Sequence, residues 1–307
     1  MAQDITVQQI GNAFADAVDR IAPGVVAVFG RQRLPGTGTV WSIDGDGAVI
    51  VTASHVVERE EQIAIRLPDE TDIPATLLGR DLTRDLAVLR VDTQALSSVP
   101  ISAAEARVGT LAMAVGRPFV SSIQASFGSV IFVGSFQYRT CRTGKMIHAD
   151  PTLYPGFSGG PLISATGEVL GINTSGARQT GSITIPAGQV ARVVRDIVEI
   201  GYVRTAWVGI TVQQVDLPSH IRDAHPEQET GVLILGIEAG TPAAEAGLYV
   251  DDILVTVDDQ PLVDVTDLQQ LLCDELIGES LNVVAWRGEN RVETTVKPVA
   301  RPEQPGS

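Results

Sequence analysis

The feature that most restricts the fold of this chain is a long series of short apolar segments between about Gly24 and Ile185. Examples are GVVAVFG, AVIVTA, LAVLRV and EVLGINT, which are rich in the β-branched residues that favour strands. Clusters of Gly, Pro, Asp and Thr separate the segments at intervals of roughly ten to fifteen residues. Many short strands punctuated by turns are typical of an antiparallel sandwich or barrel, and not of alternating βαβ units.

Helical periodicity is confined to the flanks of this β region and to the chain beyond it. The segments with apolar residues at helical spacing are 4–21, about 187–200, 241–247 and about 265–276. Pro23 and Gly201 are stop signals for the first two, and Thr241 is a typical N-cap for the third. The sequence therefore predicts a mainly β region, closed by one helix and followed by a smaller α+β region.

The charge of the chain changes at the same place as its pattern. The formal net charge is −15, of which −2 falls on the residues up to Ala206 and −13 on those from Trp207 onwards. This asymmetry predicts a domain boundary near residue 205. It also argues against a nucleic-acid partner, because a phosphate backbone demands a basic face.

Several other protein classes are disfavoured by what the sequence lacks. No apolar run approaches the roughly 18 residues that span a bilayer, so no transmembrane segment is expected. A signal peptide has a basic stretch followed by an apolar one, and the N-terminal residues show no such pattern. Cys141 and Cys273 suggest idle or buried thiols and not a disulfide framework. No metal site is expected, because zinc-ligand spacing is missing around the four histidines, His55, His148, His220 and His225.

The strongest local motif is GFSGGP, residues 156–161. A nucleophilic serine needs a tight turn that presents its hydroxyl, with backbone N–H groups converging where a carbonyl oxygen becomes negative. Glycines beside Ser158 permit the unusual backbone angles and the close approach of a substrate. The structural alternative is a glycine-rich turn before the strand PLIS.

Two further segments supply candidate partners for this serine. His55 ends the apolar strand of VTASHVV, and Asp85 directly precedes the strand LAVLRV. Taken alone, the histidine reads as a satisfied core or surface residue, and the acid as a surface ion pair with Arg84 or Arg80. The chain order His, Asp, Ser is nevertheless one of the few orders that known catalytic triads use, and it is the order of chymotrypsin-like barrels. Together the three residues predict a triad.

These motifs resemble the HtrA/Deg family of PDZ-bearing serine proteases over nearly the whole chain. The matching segments are VDRIAPGVVAV, GTGTVWSIDGDGAVIVTASHVV, GRDLTRDLAVLRVD and, most specific, HADPTLYPGFSGGPLISATGEVLGINT. The resemblance implies a trypsin-like double six-stranded antiparallel β-barrel followed by a PDZ-like α+β domain. It implies an N-terminal extension, a protease domain, a linker, a PDZ domain and a flexible tail at 1–22, 23–202, 203–206, 207–300 and 301–307.

The chain departs from the family pattern at two places. Phe157 stands where the family usually has Asn, which predicts an effect on the turn that forms the oxyanion hole. The family's Gly-Phe-Ala-Ile-Pro reads Ser-Ile-Thr-Ile-Pro at residues 182–186, which touches the expected pocket wall. The resemblance assigns the oxyanion hole to the N–H groups of Gly156 and Ser158. It implies no cofactor.

The expected substrate pocket lacks charge. Thr152 lies six residues before the nucleophile, where trypsin-like enzymes that prefer basic residues carry Asp. A small uncharged pocket disfavours Arg and Lys and suits Val, Ala or Leu. The pocket residues predicted in this way are Thr152, Ile172, Asn173, Thr174, Ile183 and Thr184.

The C-terminal region resembles bacterial PDZ domains in its WVGI segment, 207–210, and in the stretch from Gly240 to Leu272. Such a domain adds a peptide to its sheet as an extra strand while backbone N–H groups hold the terminal carboxylate. The alternative is a rigid spacer. The predicted groove residues are Trp207, Val208, Gly209, Ile210, Leu268, Leu271 and Leu272.

The resulting functional hypothesis is an ATP-independent endopeptidase that cleaves unfolded or damaged proteins, with a PDZ domain that binds peptide C-termini. The family resemblance implies a homotrimer or a multiple of one. It also implies an extracytoplasmic location if a leader was removed, and otherwise the protein works where it is made. The competing hypothesis is a non-cleaving peptide-binding or chaperone protein that retains the barrel, favoured by Phe157. An esterase with the same triad is a weaker third hypothesis.

Overall fold

The computed structural model of the chain describes residues 6–32, 34–67, 69–119, 122–134, 145–175, 183–272 and 276–302. These residues separate into two compact units, one up to Val203 and one from Arg204 onwards. Cys141, Cys273 and Ser182 lie outside the described residues.

The first unit contains twelve strands. They are β1 Val25–Phe29, β2 Gly36–Asp44, β3 Gly47–Ala53, β4 Ile63–Arg66, β5 Asp72–Asp81, β6 Leu86–Val91, β7 Leu111–Phe119, β8 Ser122–Gly134, β9 Met146–Ala149, β10 Pro161–Ser164, β11 Val169–Thr174 and β12 Ile183–Pro186. They close into two antiparallel barrels, in the orders β1-β2-β3-β6-β5-β4 and β10-β11-β12-β9-β8-β7. The predicted double six-stranded barrel is confirmed.

The apolar pattern of the sequence explains why the barrels close. Strands β3 and β6 are almost wholly buried, and side chains such as Ile50 and Leu89 meet inside the first barrel. Alternate side chains of a closed barrel point inwards, so each strand contributes to one continuous core. In the second barrel, Leu162 and Ile147 take the same role.

Two helices flank the barrels of the first unit. Helix α1, Val7–Ile21, begins with a capping box in which Thr6 and Gln9 satisfy each other's backbone N–H groups. Helix α2, Ala187–Ile200, ends at Gly201, whose φ of +85° is the left-handed conformation that glycine adopts at low cost. Both helices lie where the periodicity predicted them.

The second unit is a smaller α+β domain. Its elements are β13 Ala206–Trp207, β14 Ile210–Asp216, α3 Ser219–Ala224, β15 Thr230–Ile237, α4 Pro242–Glu245, β16 Ile253–Val257, β17 Gln260–Pro261, α5 Val265–Leu271, β18 Leu281–Arg287, β19 Asn290–Val296 and β20 Val299–Ala300. The main sheet runs β14-β15-β16-β18-β19, which leaves β14 at its edge. Helix α5 ends at Leu271, five residues before the predicted end. Thr241 precedes α4 as expected, but its hydroxyl donates to Glu238 O and accepts no hydrogen bond from the first turn of the helix.

None of the described helices is long and apolar enough to cross a membrane. Over the same residues, no group of three or more His, Cys, Asp and Glu side chains is arranged to hold a metal ion.

Candidate active site

The first barrel places His55 and Asp85 side by side. Strands β3 and β6 pair with Ala53 opposite Leu86, so His55, two residues beyond β3, and Asp85, directly before β6, meet at one end of the ladder. The Nδ1 atom of His55 lies 2.6 Å from Oδ2 of Asp85, and the backbone N–H of His55 donates to Oδ1 at 2.9 Å. The carboxylate therefore fixes both the ring and the backbone of the histidine.

The backbone at Asp85 is strained in favour of this contact. Its φ of +55° lies in the left-handed region, which costs a non-glycine residue roughly 1–3 kcal/mol. A hydrogen bond from Ser54 N–H to Asp85 O, 3.0 Å long, helps to hold the residue there. Such strain is common where a side chain must be aimed at a functional partner.

Thr174, at the end of β11 in the second barrel, donates a second side-chain hydrogen bond to Oδ2 of Asp85. Burial alone would raise the pKa of this carboxyl, because it disfavours the charged form. The hydrogen bonds from His55 and Thr174 outweigh that effect and hold the pKa of Asp85 below its ordinary value. Asp85 is therefore a carboxylate at neutral pH, able to stabilise a positive charge on the imidazole.

The candidate nucleophile lies on two consecutive tight turns. Phe157 N–H donates to Tyr154 O at 3.0 Å, and Gly160 N–H donates to Phe157 O at 2.9 Å. Gly156 and Gly159 occupy the third positions of these turns with φ of +88° and +87°, as type II turns require. At Gly159 a side chain is also excluded by space, since a Cβ atom would lie 2.1 Å from Thr37 O.

Thr37, in β2 of the first barrel, holds these turns in place. Its hydroxyl donates to Gly156 O at 2.7 Å and accepts from Arg117 N–H at 2.9 Å, while its N–H donates to Ser158 O at 3.0 Å. Among the described residues, the N–H groups of Gly156 and Ser158 themselves have no acceptor. Two backbone donors beside the serine hydroxyl are thus left available to an anionic oxygen.

Phe157 is a core residue and does not occupy this space. Its side chain is fully buried in the second barrel and packs on Gly116, where a Cβ atom would lie 2.7 Å from Cδ1 of the ring. Tyr154 covers it edge-to-face, with 5.6 Å between the ring centroids. The buried ring of Phe157 holds the serine turn against the second barrel, while the N–H groups of Gly156 and Ser158 have no acceptor among the described residues.

The hydroxyl of Ser158 is turned towards Ser175 and not towards His55. The two serine oxygens lie 2.9 Å apart, and Ser158 as a residue is 7% exposed. Within the described part of the chain, Nε2 of His55 has no hydrogen-bond partner. The structure thus brings together the acid and the base, and it places the serine hydroxyl against Ser175 without a hydrogen bond to His55.

The six predicted pocket residues separate into two groups. Asn173 and Thr184 are buried, share a 2.7 Å hydrogen bond and line a small cavity of the second barrel with Ala114, Ala149, Pro151, Leu153 and Leu162. Thr152, Ile172, Thr174 and Ile183 do not line it. Thr152 is exposed and its carbonyl accepts from Ser126 Oγ, while Thr174 faces Asp85.

In the second unit, five of the seven predicted groove residues line one apolar cavity. They are Val208, Ile210, Leu268, Leu271 and Leu272, joined there by Leu248, which follows α4, and by apolar side chains of the sheet such as Val283. Trp207 pairs with Val299 in the short β13–β20 ladder and lies outside the cavity. Gly209 has a φ of +81°, and a Cβ atom at this position would lie 2.3 Å from Thr241.

The cavity is lined in part by Ile210 of β14, a strand at the edge of the sheet. Among the described strands, β14 pairs with β15 alone, so no described strand occupies its other edge. The N–H groups of Val208 and Gly209, just before β14, donate to no acceptor among the described residues. The carbonyl groups of the same two residues are fixed by Ala243 and Glu238 N–H, each at 3.0 Å.

Comparisons with known proteins agree with this division. A family model for trypsin-like peptidase domains matches residues 36–172, and a model for PDZ domains matches residues 188–297. The first match includes all three candidate triad residues. The second begins inside α2, which belongs to the first unit.

Curated relatives and solved structures carry the same two parts. The chain is 29% identical to the putative serine protease HhoA of Synechocystis over 87% of its length, covering 71% of that protein. It is 27% identical to the serine endoprotease DegS of Escherichia coli, covering 91% of this chain and 84% of DegS. A probable periplasmic DegP-like endoprotease of Brucella suis is 30% identical, and the chain spans 55% of it. Among structures, the HtrA-type protease AlgW with a tripeptide matches at 28% identity and a TM-score of 0.66, covering 95% of this chain and 99% of that one.

The double barrel, the serine turn and the PDZ domain define the class, which is a serine endopeptidase of the trypsin-like type with a C-terminal PDZ domain. Within that class, the chain belongs to the HtrA/Deg family of serine proteases.

Proposed function

We propose that this protein cleaves peptide bonds through an acyl-enzyme, with Ser158, His55 and Asp85 as its catalytic triad. The observation that carries the proposal is the half-buried His55–Asp85 pair, with Nδ1 and Oδ2 2.6 Å apart, beside a serine turn whose two N–H groups have no acceptor in the described structure. Each part alone occurs in proteins without activity. Their combination supplies a base, its orienting acid, a nucleophile and an oxyanion site within one cleft.

The proposed reaction begins when Ser158 rotates towards His55. Its Oγ attacks the scissile carbonyl while Nε2 of His55 takes the hydroxyl proton. The carbonyl oxygen becomes anionic and accepts hydrogen bonds from Gly156 and Ser158 N–H. His55 then gives the proton to the leaving amine, and a water molecule repeats the sequence to release the acyl group. Asp85 keeps Nδ1 protonated throughout and stabilises the imidazolium.

The proposed specificity is for small uncharged side chains before the cleaved bond. The small cavity of the second barrel is lined by apolar groups and by the Asn173–Thr184 pair, and none of its described lining residues carries a carboxylate that would neutralise Lys or Arg. A charged side chain placed there would lose its hydration without gaining a counter-ion. Val, Ala and similar residues fit this environment better.

The proposed partner of the second unit is the C-terminus of an unfolded polypeptide. A peptide added to the free edge of β14 would place its carboxylate at the N–H groups of Val208 and Gly209 and its last side chain in the apolar cavity. The structure of AlgW was solved with peptides, which accords with a peptide-binding role for related chains. Recruitment of unfolded chains needs no ATP in this scheme, since only peptide binding is required.

We also propose that the chain forms a homotrimer through α1 and the outer face of the second barrel. Phe14 stacks edge-to-face on Phe127 with ring centroids 4.7 Å apart, and Phe127 remains 56% exposed. Val7, Ile10 and Ile131 are exposed as well. A set of exposed large apolar side chains is typical of an interaction surface.

Digestion of unfolded casein, without ATP or metal, tests the proposal. The wild-type chain should cleave casein, and Ser158→Ala should lose turnover by roughly a million-fold. A peptide with an apolar C-terminus, added to the same reaction, reports whether occupancy of the second unit changes the rate. Absence of cleavage by the folded wild-type protein would refute the proposal, as would equal cleavage by the Ser158→Ala variant.

A further inference from the structure

Two consecutive residues at the end of β11 contact Asp85 and Ser158 of the proposed triad. Thr174 donates to Asp85, and the next residue, Ser175, lies with its Oγ 2.9 Å from the Oγ of Ser158. Thr174 has a clear structural role, because it holds the half-buried carboxylate of Asp85. Among the described residues, the one hydrogen-bond partner of the Ser175 side chain is the hydroxyl of Ser158, and Ser175 itself is exposed at the strand end.

This contact competes with the first step of the reaction. The Ser158 hydroxyl can lose its proton to His55 only when it points at Nε2, and in the structure it points at Ser175 instead. We infer that Ser175 is a positioning residue that holds the nucleophile in a resting rotamer. The inference rests on the proposed role of Ser158 and deepens it, since it names the group from which the nucleophile must be released.

Hydrogen bonds of the surrounding backbone leave the side chain of Ser158 as the one group that has to move. Gly159 N–H donates to Asn173 O at 2.8 Å, and Asn173 N–H donates to Gly160 O at 2.9 Å, so β11 and the nucleophile turn are tied together. Ser175 therefore stays at a fixed distance from the turn. Release needs only a rotation of Ser158 about χ1 between staggered positions, without movement of the backbone that carries the oxyanion donors.

The expected size of the effect follows from the strength of one neutral hydrogen bond. Its net contribution changes the ratio of two rotamers by about 2- to 12-fold. Removal of the Ser175 hydroxyl should therefore raise the population of the attacking rotamer of Ser158, and with it the acylation rate, by about that factor. A larger gain is not expected because His55 and the oxyanion donors are unchanged.

Acylation by a small p-nitrophenyl ester measures this directly. In that step the bond from Ser158 Oγ to the acyl carbon forms, the bond to p-nitrophenolate breaks, and the serine proton passes to His55. Ser175→Ala and Ser175→Val should both be faster than the wild type by about 2- to 12-fold in kcat/KM. Ser175→Thr keeps the hydroxyl, closely matches Val in shape and should react at the wild-type rate.

The pH profile separates positioning from a general change of the site. The apparent pKa of acylation should be the same in Ser175→Ala and in the wild type, because a rotamer population changes without a change of charge. A shifted pKa, a slower Ser175→Ala enzyme or equal acceleration by Ser175→Thr would each overturn the inference. If Ser158→Ala hydrolyses the ester as fast as the wild type, the proposed function fails. If hydrolysis needs Ser158 but ignores residue 175, only the positioning role fails.

Discussion

The packing of Phe157 on Gly116 predicts a strong energetic coupling between the two positions. Phe157 is fully buried, and Phe157→Ala should lower the free energy of unfolding by about 3–5 kcal/mol through loss of transfer energy and creation of a cavity. Gly116→Ala should cost about 1–3 kcal/mol, because its new methyl group would meet Cδ1 of Phe157 at 2.7 Å and Cγ at 2.9 Å.

The double variant should be far less affected than the sum of these costs. Once the ring is absent, the nearest remaining Phe157 atom to a Cβ at position 116 is Cα, at 3.2 Å, so the added methyl meets much less resistance. Gly116→Ala should then be nearly neutral in the Phe157→Ala background. The coupling energy between the two substitutions should be about 1–3 kcal/mol in the favourable direction.

Urea unfolding followed by tryptophan fluorescence measures the cycle. Trp41 lies in β2 of the first unit, so all variants are compared in a background in which Trp207 and Trp286 of the second unit are changed to Phe. Gly11→Ala, in helix α1 with nothing within 4 Å of the added Cβ, is the control for glycine replacement as such. It should be neutral or stabilising by up to about 1 kcal/mol. Additivity of Gly116→Ala and Phe157→Ala within about 0.5 kcal/mol would refute the packing explanation.

Two further predictions concern the acid of the triad and the groove of the second unit. Thr174→Val removes a hydrogen bond to the ionised Asp85 and should destabilise the first unit by about 1.5–3 kcal/mol at pH 7, with Thr174→Ser close to wild type. The pKa of Asp85 is lowered in the folded state, so the ionised carboxylate stabilises the fold above the ordinary carboxyl pKa, and this stabilisation is lost as the pH falls through the folded pKa. The loss of unfolding free energy caused by Thr174→Val should therefore become smaller in acid. A loss that stays constant in urea titrations from pH 7 to pH 3 contradicts this. In the groove, amidation of a peptide C-terminus should weaken binding about 10- to 100-fold in calorimetry. Leu272→Glu, in the cavity lining, should abolish binding, whereas Leu235→Glu, exposed elsewhere in the unit, should not; equal effects of the two would count against the groove.

The barrels were predictable from the sequence because most strands are continuous apolar runs, but two strands lack such a run. β5, Asp72–Asp81, contains a proline and polar residues and alternates between exposed and half-buried positions, so its signal is weak. β9, Met146–Ala149, has four residues and is too short for a periodicity to show. Both are held by their neighbours in a closed barrel, which no local pattern records.

The parts of the candidate site that depend on residue type could be predicted from the sequence. The parts that depend on which way a side chain points could not. The serine turn and the acid–base pair carry recognisable types in a recognisable order. The sequence does not reveal that Thr174 faces Asp85 and Ser175 faces Ser158, because both directions follow from how β11 crosses the cleft. Thr37 was missed altogether, since a threonine in a glycine-rich strand has no distinguishing pattern, although its hydroxyl joins Gly156 and Arg117.

The most direct test of the central claim is labelling of the purified chain with a fluorophosphonate, followed by peptide mass spectrometry. The reagent forms a bond from a serine Oγ to phosphorus and expels fluoride, and it does so only where a base and an oxyanion site activate the hydroxyl. We expect one phosphonyl group per chain, on Ser158, and strong loss of labelling in His55→Ala. Labelling at another residue, or undiminished labelling without His55, would contradict it.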